Sequence, residues 1–126
     1  MDRTFLLVGA LAGFIGVAFG AFGAHALRGR LSPEMLAVFE TAARYQMYHA
    51  FALVAAAWGW ARWRRREFTL AGVLFIAGIL LFSGSLYGLA LSGPRWLGPV
   101  TPVGGLAFLV GWLALAVGAL RAPPSA

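Results

Sequence analysis

The chain has 126 residues, of which 61% are hydrophobic and only 11% are charged. A soluble domain this small carries about 25% charged residues to cover its surface, so most of this chain does not face water. Disordered chains are excluded because they are polar and poor in aromatic residues, and the lack of cysteine excludes a disulfide-stapled or cysteine–zinc domain. The composition therefore predicts an integral membrane protein with one domain, residues 1–126.

Four stretches of the sequence are long and apolar enough to cross a bilayer as helices. A helix needs about 20 apolar residues to cross a hydrocarbon core about 30 Å thick. The stretches that satisfy this requirement are residues 4–27, 45–61, 68–91 and 101–120. The predicted fold is an all-α membrane protein, a four-helix transmembrane bundle.

The ten arginines predict how the bundle is oriented. Four of them lie in the short loop between the second and third spans: Arg62, Arg64, Arg65 and Arg66. Short, positively charged loops stay in the cytoplasm, so four spans place both termini there as well. The net charge of +6 is explained by this topology, and a chain so apolar has no basic groove for nucleic acid. Together with a residue usage typical of GC-rich bacterial genomes, these features predict a multi-pass protein of the bacterial plasma (inner) membrane.

The segment before the second span has the signals of a helix start. Ser32 suits the N-cap, Pro33 the first helical position, and Glu34 the positive end of the helix dipole. Apolar residues then recur at every fourth position through residues 35–51. A helix over residues 33–61 is about 43 Å long and exceeds the bilayer core. Its first turns are predicted to form an amphipathic segment at the outer interface before helix 2.

Glycines form regular lines along the predicted helices. In the first and fourth spans they recur, with intervening alanines in the fourth, at alternating spacings of three and four residues. Small residues let helix backbones approach closely in lipid, so these lines predict helix-packing contacts, or an oligomer interface along one of them. The packing glycines are Gly9, Gly13, Gly16, Gly20, Gly23, Gly84, Gly88, Gly104, Gly111 and Gly118.

Polar side chains within the spans collect near the predicted outer face. Such residues are costly in lipid, and they usually face a bundle interior or a wet cavity. They predict either a hydrogen-bonded network that fixes helix packing or a pocket for a small ligand such as a lipid headgroup or a quinone. The candidate ligand-binding residues are His25, Glu40, Arg44, Tyr45, Tyr48, His49, Ser83, Ser85, Tyr87 and Thr101.

Spacing suggests partners within this outer group. Glu40 and Arg44 stand four residues apart with the acid first, the favourable order for an ion pair on a helix. His49 is expected to pair with Tyr87, Ser83 or His25.

Metal binding and hydrolysis have little support in the sequence. His25, His49 and Glu40 could supply three metal ligands, but no metal-ligand spacing accompanies them. No nucleophile-elbow sequence surrounds Ser83 or Ser85. We therefore predict no catalytic residue, no metal and no cofactor.

The connection over residues 92–100 is rich in proline and glycine. It predicts a rigid, non-helical lid beside the outer group. Thr101 is expected to be the N-cap of the fourth helix, with Pro102 in its first turn.

Four motifs resemble a known family of small bacterial membrane proteins. They are Gly-Ala-Phe-Gly-Ala-His at residues 20–25, Thr-Ala-Ala-Arg-Tyr-Gln-Met-Tyr-His-Ala at 41–50, Phe-Ser-Gly-Ser-Leu-Tyr at 82–87, and Thr-Pro-Val-Gly-Gly at 101–105 with Gly111-Trp112. The family is "domain of unknown function 423", to which the eukaryotic transmembrane protein 256 group is similar. The resemblance implies a four-span membrane protein and brings no activity, cofactor or catalytic residue with it.

Two functions of different kinds follow from these features. The first is binding of a lipid or small amphiphile in an outer-leaflet pocket around Arg44, Tyr48 and His49. The second is a structural or accessory role, as a subunit or assembly factor of a larger membrane complex, in which the polar network only packs helices. An oligomeric transporter is a weaker third alternative. The expected partners are membrane lipids, with a possible homo-oligomer or larger complex.

Overall fold

The computed structural model describes residues 1–124, and the last two residues of the predicted domain, 125 and 126, lie outside this part. The described chain is helical throughout, with a single isolated backbone bridge in the turn at residues 28–31 and no β-strand. Its four long helices are α1 (Asp2–Leu27), α2 (Pro33–Trp63), α3 (Arg66–Ser92) and α4 (Val100–Arg121).

Three of the four helices are long and apolar enough to cross a membrane. They are α1, α3 and the segment Arg95–Arg121, which contains α4. The fourth, α2, is 31 residues long and is not among them; Glu40, Arg44, Gln46 and His49 interrupt its first 17 residues. The predicted span 45–61 is thus the second part of one uninterrupted helix of about 46 Å.

The start of α2 follows the sequence prediction. The Ser32 hydroxyl accepts a hydrogen bond from the Met35 backbone N–H at 3.2 Å, and Pro33 occupies the first turn. The start of α4 differs from the prediction. This helix begins at Val100, after a short 3₁₀ turn at Arg95–Leu97, so the expected N-cap role of Thr101 is wrong. Thr101 lies inside the first turn, and its hydroxyl contacts the Leu97 carbonyl oxygen at 3.4 Å.

The start of α1, the end of α4 and the arginine-rich loop lie at one end of the molecule. Asp2 and Arg3 line a depression together with Trp58 near the end of α2. Glu67, in the first turn of α3, accepts hydrogen bonds from Arg65 at 2.9 Å and from Arg121 at 3.4 Å. The start of α1, the α2–α3 loop and the end of α4 therefore lie together.

The helices associate as two pairs, α1 with α2 and α3 with α4, and α2 joins the pairs by packing on α3. In the second pair, residues of α3 meet glycines of α4 at matching intervals of seven residues. Because the two helices are antiparallel, the ring of Phe68 lies against Gly118, the ring of Phe75 lies against Gly111, and the backbone at Phe82 lies against Gly104. This register fixes the depth of α4 against α3.

In the first pair the glycines of α1 face α2 directly. A Cβ atom at Gly9 would lie 3.0 Å from the Ala50 carbonyl oxygen and 3.1 Å from the Leu53 Cβ. Farther along α1, a Cβ at Gly13 or at Gly20 would meet only an alanine Cβ on α2, at 3.8 Å. Of these three positions, Gly9 is therefore packed most tightly against α2, and Gly13 and Gly20 leave room for a methyl group.

Gly84 and Gly88 of α3 do not form the small-residue contact expected of them. Gly84 is exposed, and a Cβ there would meet only the Ile79 carbonyl oxygen of its own helix, at 3.9 Å. Gly88 faces Leu97 of the turn before α4. The α3 glycine that packs on α4 is Gly78, which lies against the Phe108 ring.

Glycine-to-alanine substitutions should separate positions with and without room for a methyl group. At Gly104 a Cβ would lie 2.8 Å from the Phe82 Cα and the Leu81 carbonyl carbon, backbone atoms that cannot move away independently. Gly104→Ala is expected to destabilise the protein by about 1–3 kcal/mol or more through overpacking. Gly13→Ala is the matched control and should be neutral or slightly stabilising, because alanine favours helix. Thermal unfolding in detergent measures both, and equal midpoints for the two variants contradict this packing.

Candidate functional site

A chain of hydrogen bonds joins three helices inside the bundle. The Tyr87 hydroxyl of α3 donates to the Gln46 side-chain oxygen of α2 at 2.8 Å, and the Gln46 amide nitrogen donates to the Ala12 carbonyl of α1 at 2.9 Å. Gln46 is only 4% exposed. Its amide oxygen and its amide nitrogen thus each have a partner, and these bonds connect α2 to both α1 and α3 at one level.

His49 lies one turn further along the same face of α2. Its Nδ1 is 2.6 Å from the Tyr45 carbonyl oxygen, and its Nε2 is 3.1 Å from the indole nitrogen of Trp112 on α4. A carbonyl oxygen only accepts and an indole N–H only donates, so these contacts require a neutral imidazole protonated on Nδ1. The ring stacks on Phe108 with 3.4 Å between centroids, which fixes its orientation.

Hydroxyl groups make a second contact between α3 and α4. Ser85 and Thr101 share a hydrogen bond of 2.6 Å, and the Ser85 hydroxyl also lies 2.9 Å from the Phe82 carbonyl oxygen. Ser83 is fully buried, and its hydroxyl has no partner among residues 1–124. It belongs to a π-helical segment of α3, Ile79–Ser83, and a similar segment, Ala18–Gly23, interrupts α1.

The two π-helical segments supply rings that enclose the polar chain. Phe19, from the segment in α1, meets the Tyr87 ring edge-on with 5.2 Å between centroids. Phe82, from the segment in α3, packs on Tyr45 at 4.8 Å and on Phe108 at 5.5 Å. These aromatic contacts keep the hydrogen bonds away from the lipid-facing surface.

The interior network is neutral. The buried polar residues of the described chain are Gln46, His49, Ser83 and Ser85, and none of them is an acid, lysine or arginine. Within residues 1–124 no three His, Asp or Glu side chains come close enough to hold a metal ion. With the His49 ring nitrogens and the Gln46 amide satisfied within the protein, this arrangement fits a role in helix packing.

The structure corrects the expected partners of His49. They are Trp112 and the Tyr45 carbonyl, and not Tyr87, Ser83 or His25. Gln46 and Trp112 were not among the candidate site residues. The sequence does single out Gln46, because it is the only glutamine of the chain. It stands three residues before His49, on the same helix face.

Glu40, Arg44 and Tyr48 lie outside this network, in a groove between α1 and α2. Gly16 and Gly20 of α1 line the opposite side, and this open section has a volume of about 500 Å³. Glu40 and Arg44 do not form the expected ion pair, since the salt bridges found among residues 1–124 all lie elsewhere. Both charged groups are therefore free to meet a ligand.

The groove continues down the same face as an apolar section of about 560 Å³. The two sections share Val17 and Met47, so they are adjoining parts of one open groove along the α1–α2 contact. The floor of the apolar section includes Gly9 and Gly13. Its rims carry three phenylalanines that are largely exposed: Phe14, Phe22 and Phe51.

The remaining candidate residues lie elsewhere. Tyr45 and His49 border a smaller groove of about 330 Å³ towards α4, and Tyr48 lies on the ridge between the two grooves. His25 is exposed near the end of α1. The structure thus divides the predicted outer group into an interior network, the Ser85–Thr101 pair, and the charged end of the α1–α2 groove.

These features define the class of protein. Apolar helices, glycine-mediated packing and a polar chain satisfied inside the bundle belong to a small integral membrane protein.

Comparison with known proteins identifies the family. The family model described as "Protein of unknown function (DUF423)" matches residues 19–105. The chain is 43% identical to the UPF0382 inner membrane protein YgdD of Escherichia coli K12 (95% of this chain, 92% of the relative). It is 40% identical to the UPF0382 membrane protein YwdK of Bacillus subtilis (94% and 98%). A UPF0382 membrane protein of Staphylococcus epidermidis is also 40% identical (94% and 97%). No solved structure matches the chain. The chain belongs to the DUF423 family.

A double-mutant cycle should detect the Tyr87–Gln46 hydrogen bond. Gln46→Leu leaves the Tyr87 hydroxyl without its acceptor, and Tyr87→Phe leaves the Gln46 oxygen without its donor, so each is expected to cost about 1–3 kcal/mol. The double variant should be more stable than the sum of the two single-variant losses predicts, by about 0.5–2 kcal/mol.

The cycle is measured from free energies of unfolding in mixed micelles. Tyr45→Phe is the control, because the Tyr45 hydroxyl has no hydrogen bond in the described structure, and it should change stability by less than about 0.5 kcal/mol. If the loss of unfolding free energy in the double variant equals the sum of the two single losses, the bond contributes nothing.

Proposed function

We propose that this protein binds a phospholipid of the outer leaflet in the groove between α1 and α2. The observation that carries the proposal is that charged and apolar residues are separated along the groove. One end holds an arginine with no ion pair among the described residues, and the continuous remainder is lined by apolar residues. A phospholipid has the same division between a charged head and an apolar chain.

Arg44 is the group that would hold the phosphate. Its guanidinium is exposed on the groove side of α2, and guanidinium groups bind phosphate oxygens through two parallel hydrogen bonds. Tyr48, one turn further along α2, offers a hydroxyl that can donate to an ester oxygen of the lipid. The predicted pocket is retained in this proposal with Arg44 and Tyr48 but without His49, whose ring nitrogens are already occupied.

The apolar section of the groove fits an acyl chain. Gly13 leaves its floor open, and Phe14 and Phe51 rise on either side. An acyl chain between these rings gains dispersion contacts that a flat helix surface cannot offer.

The outer leaflet follows from the proposed topology of four crossings with both termini in the cytoplasm. Six arginines belong to the terminal segments and the α2–α3 loop, which the contacts at Asp2 and Glu67 bring to one end of the bundle. The other four, including Arg44, belong to segments at or near the opposite end. The positive-inside rule then favours the cytoplasm for the first end. Arg44 faces the outer leaflet in this arrangement.

A structural role in a larger complex is the second candidate. The exposed Phe14, Phe22 and Phe51 would also suit a transmembrane helix of a partner or of a second copy. Transport has less support, because no charged side chain is buried among residues 1–124.

Native mass spectrometry of the protein released gently from its membrane tests the lipid proposal. The wild type is expected to retain one phospholipid mass. Arg44→Gln should weaken retention about tenfold, because a charge-assisted hydrogen bond is lost. Gly13→Leu should abolish retention by filling the groove, since only the Ala50 Cβ lies near the position of its Cβ.

Two control variants preserve the groove. Arg95→Gln removes an exposed arginine from the turn before α4, and Gly13→Ala adds a single methyl group; both should retain the lipid. A bare protomer, or lipid retention unaffected by Arg44→Gln, contradicts the proposal. A dimer that Gly13→Leu dissociates assigns the groove to a second copy instead.

A further inference from the structure

The charged end of the groove presents three different groups in a fixed order. Glu40, Arg44 and Tyr48 are four residues apart, so they follow one another along one face of α2 with a rise of about 6 Å per step. All three line the same section of the groove. Glu40 is nearest the exposed start of α2, and Tyr48 is nearest the apolar section.

A zwitterionic phospholipid presents complementary groups in the same order of depth. Its ester-linked glycerol lies deepest, the phosphate follows, and an ammonium group is tethered to the phosphate ester by two carbons. With the phosphate on Arg44 and an ester beside Tyr48, this tether can extend the ammonium to the level of Glu40.

From this order we infer that Glu40 selects a phospholipid whose headgroup ends in a primary ammonium group. The inference rests on the proposed phospholipid-binding function of the groove. It adds a headgroup preference that Arg44 alone does not create, because Arg44 attracts the phosphate of every phospholipid.

The preference has an attractive and a repulsive part. A carboxylate accepts hydrogen bonds from a primary ammonium, and the pair is charge-assisted. A glycerol headgroup brings no cation, so Glu40 would stand unpaired beside the lipid phosphate, and like charges side by side disfavour that partner. A quaternary choline group carries positive charge but has no N–H to donate, so its affinity should be intermediate.

No neighbouring acid repeats this function. Of the four carboxylates, Asp2 and Glu67 lie at the opposite end of the bundle, and Glu34 is exposed in the first turn of α2, outside the residues that line the groove. Glu34 therefore provides a matched control, since it carries the same charge on the same helix.

The test compares phosphatidylethanolamine, phosphatidylcholine and phosphatidylglycerol with identical acyl chains, titrated into the delipidated full-length protein and followed by native mass spectrometry. The wild type is expected to bind phosphatidylethanolamine about tenfold more tightly than phosphatidylglycerol. Glu40→Gln should remove this preference, Glu40→Lys should reverse it, and Glu34→Gln should leave it intact. The wild-type comparison tests the preference even if the Glu40 variants do not fold.

The outcomes separate this inference from the proposed function. Equal wild-type affinities for the three lipids, with all binding weakened by Arg44→Gln, would overturn the headgroup preference and leave the phospholipid groove standing. A preference that persists in Glu40→Gln would also overturn it. Absence of Arg44-dependent binding of any of the three lipids would overturn both.

Discussion

The close approach of helix backbones at glycine is the constraint on which the rest of the structure depends. Lipid gives apolar helices little reason to associate, so packing must come from intimate contact. Between α3 and α4, Gly111 and Gly118 lie against the rings of Phe75 and Phe68, and Gly104 lies against the α3 backbone at Phe82. Between α1 and α2 the contact is tight at Gly9, and Gly13 and Gly20 leave room for a methyl group. The α1–α2 groove runs along this glycine contact.

Some polar side chains are hydrogen-bonded inside the bundle, and others face outward in the groove. Gln46, His49, Tyr87 and Trp112 satisfy one another or backbone carbonyls inside the bundle, as hydrocarbon requires of buried polar groups. Glu40 and Arg44 face outward and have no protein partner within residues 1–124. The first set therefore stabilises the fold, and the second is available to bind a ligand. Tyr48 lies between the two sets and can contribute to the groove without disturbing the interior.

Much of the fold could be predicted from the sequence because membrane spans depend on length and composition. The Ser32 cap, the helical nature of the whole chain and the importance of small residues follow from local pattern. The face of each helix that meets its neighbour is a different matter. The π-helical segments shift the helical phase within α1 and α3, and no local pattern in the sequence marks them. The expected contact of Gly84 and the expected partners of His49 were wrong because they depend on which helix faces each residue, and local pattern does not give this.

The residues of the candidate site could be predicted from the sequence. Their separation into an interior network and a groove could not. Glu40, Arg44, Tyr48 and His49 are close in sequence, which suggested one pocket. On a helix, however, consecutive residues are 100° apart, so His49 faces α4 while Arg44 and Tyr48 line the groove beside α1. Only the positions of the neighbouring helices decide which face is interior.

An experimental structure in phospholipid nanodiscs, at a resolution that resolves headgroups, tests the central claim most directly. A phosphate within hydrogen-bonding distance of the Arg44 guanidinium, with an acyl chain running between Phe14 and Phe51, is the predicted result. A groove closed by a helix of another protein or of a second copy, or an Arg44 paired with Glu40 above an empty groove, would contradict it.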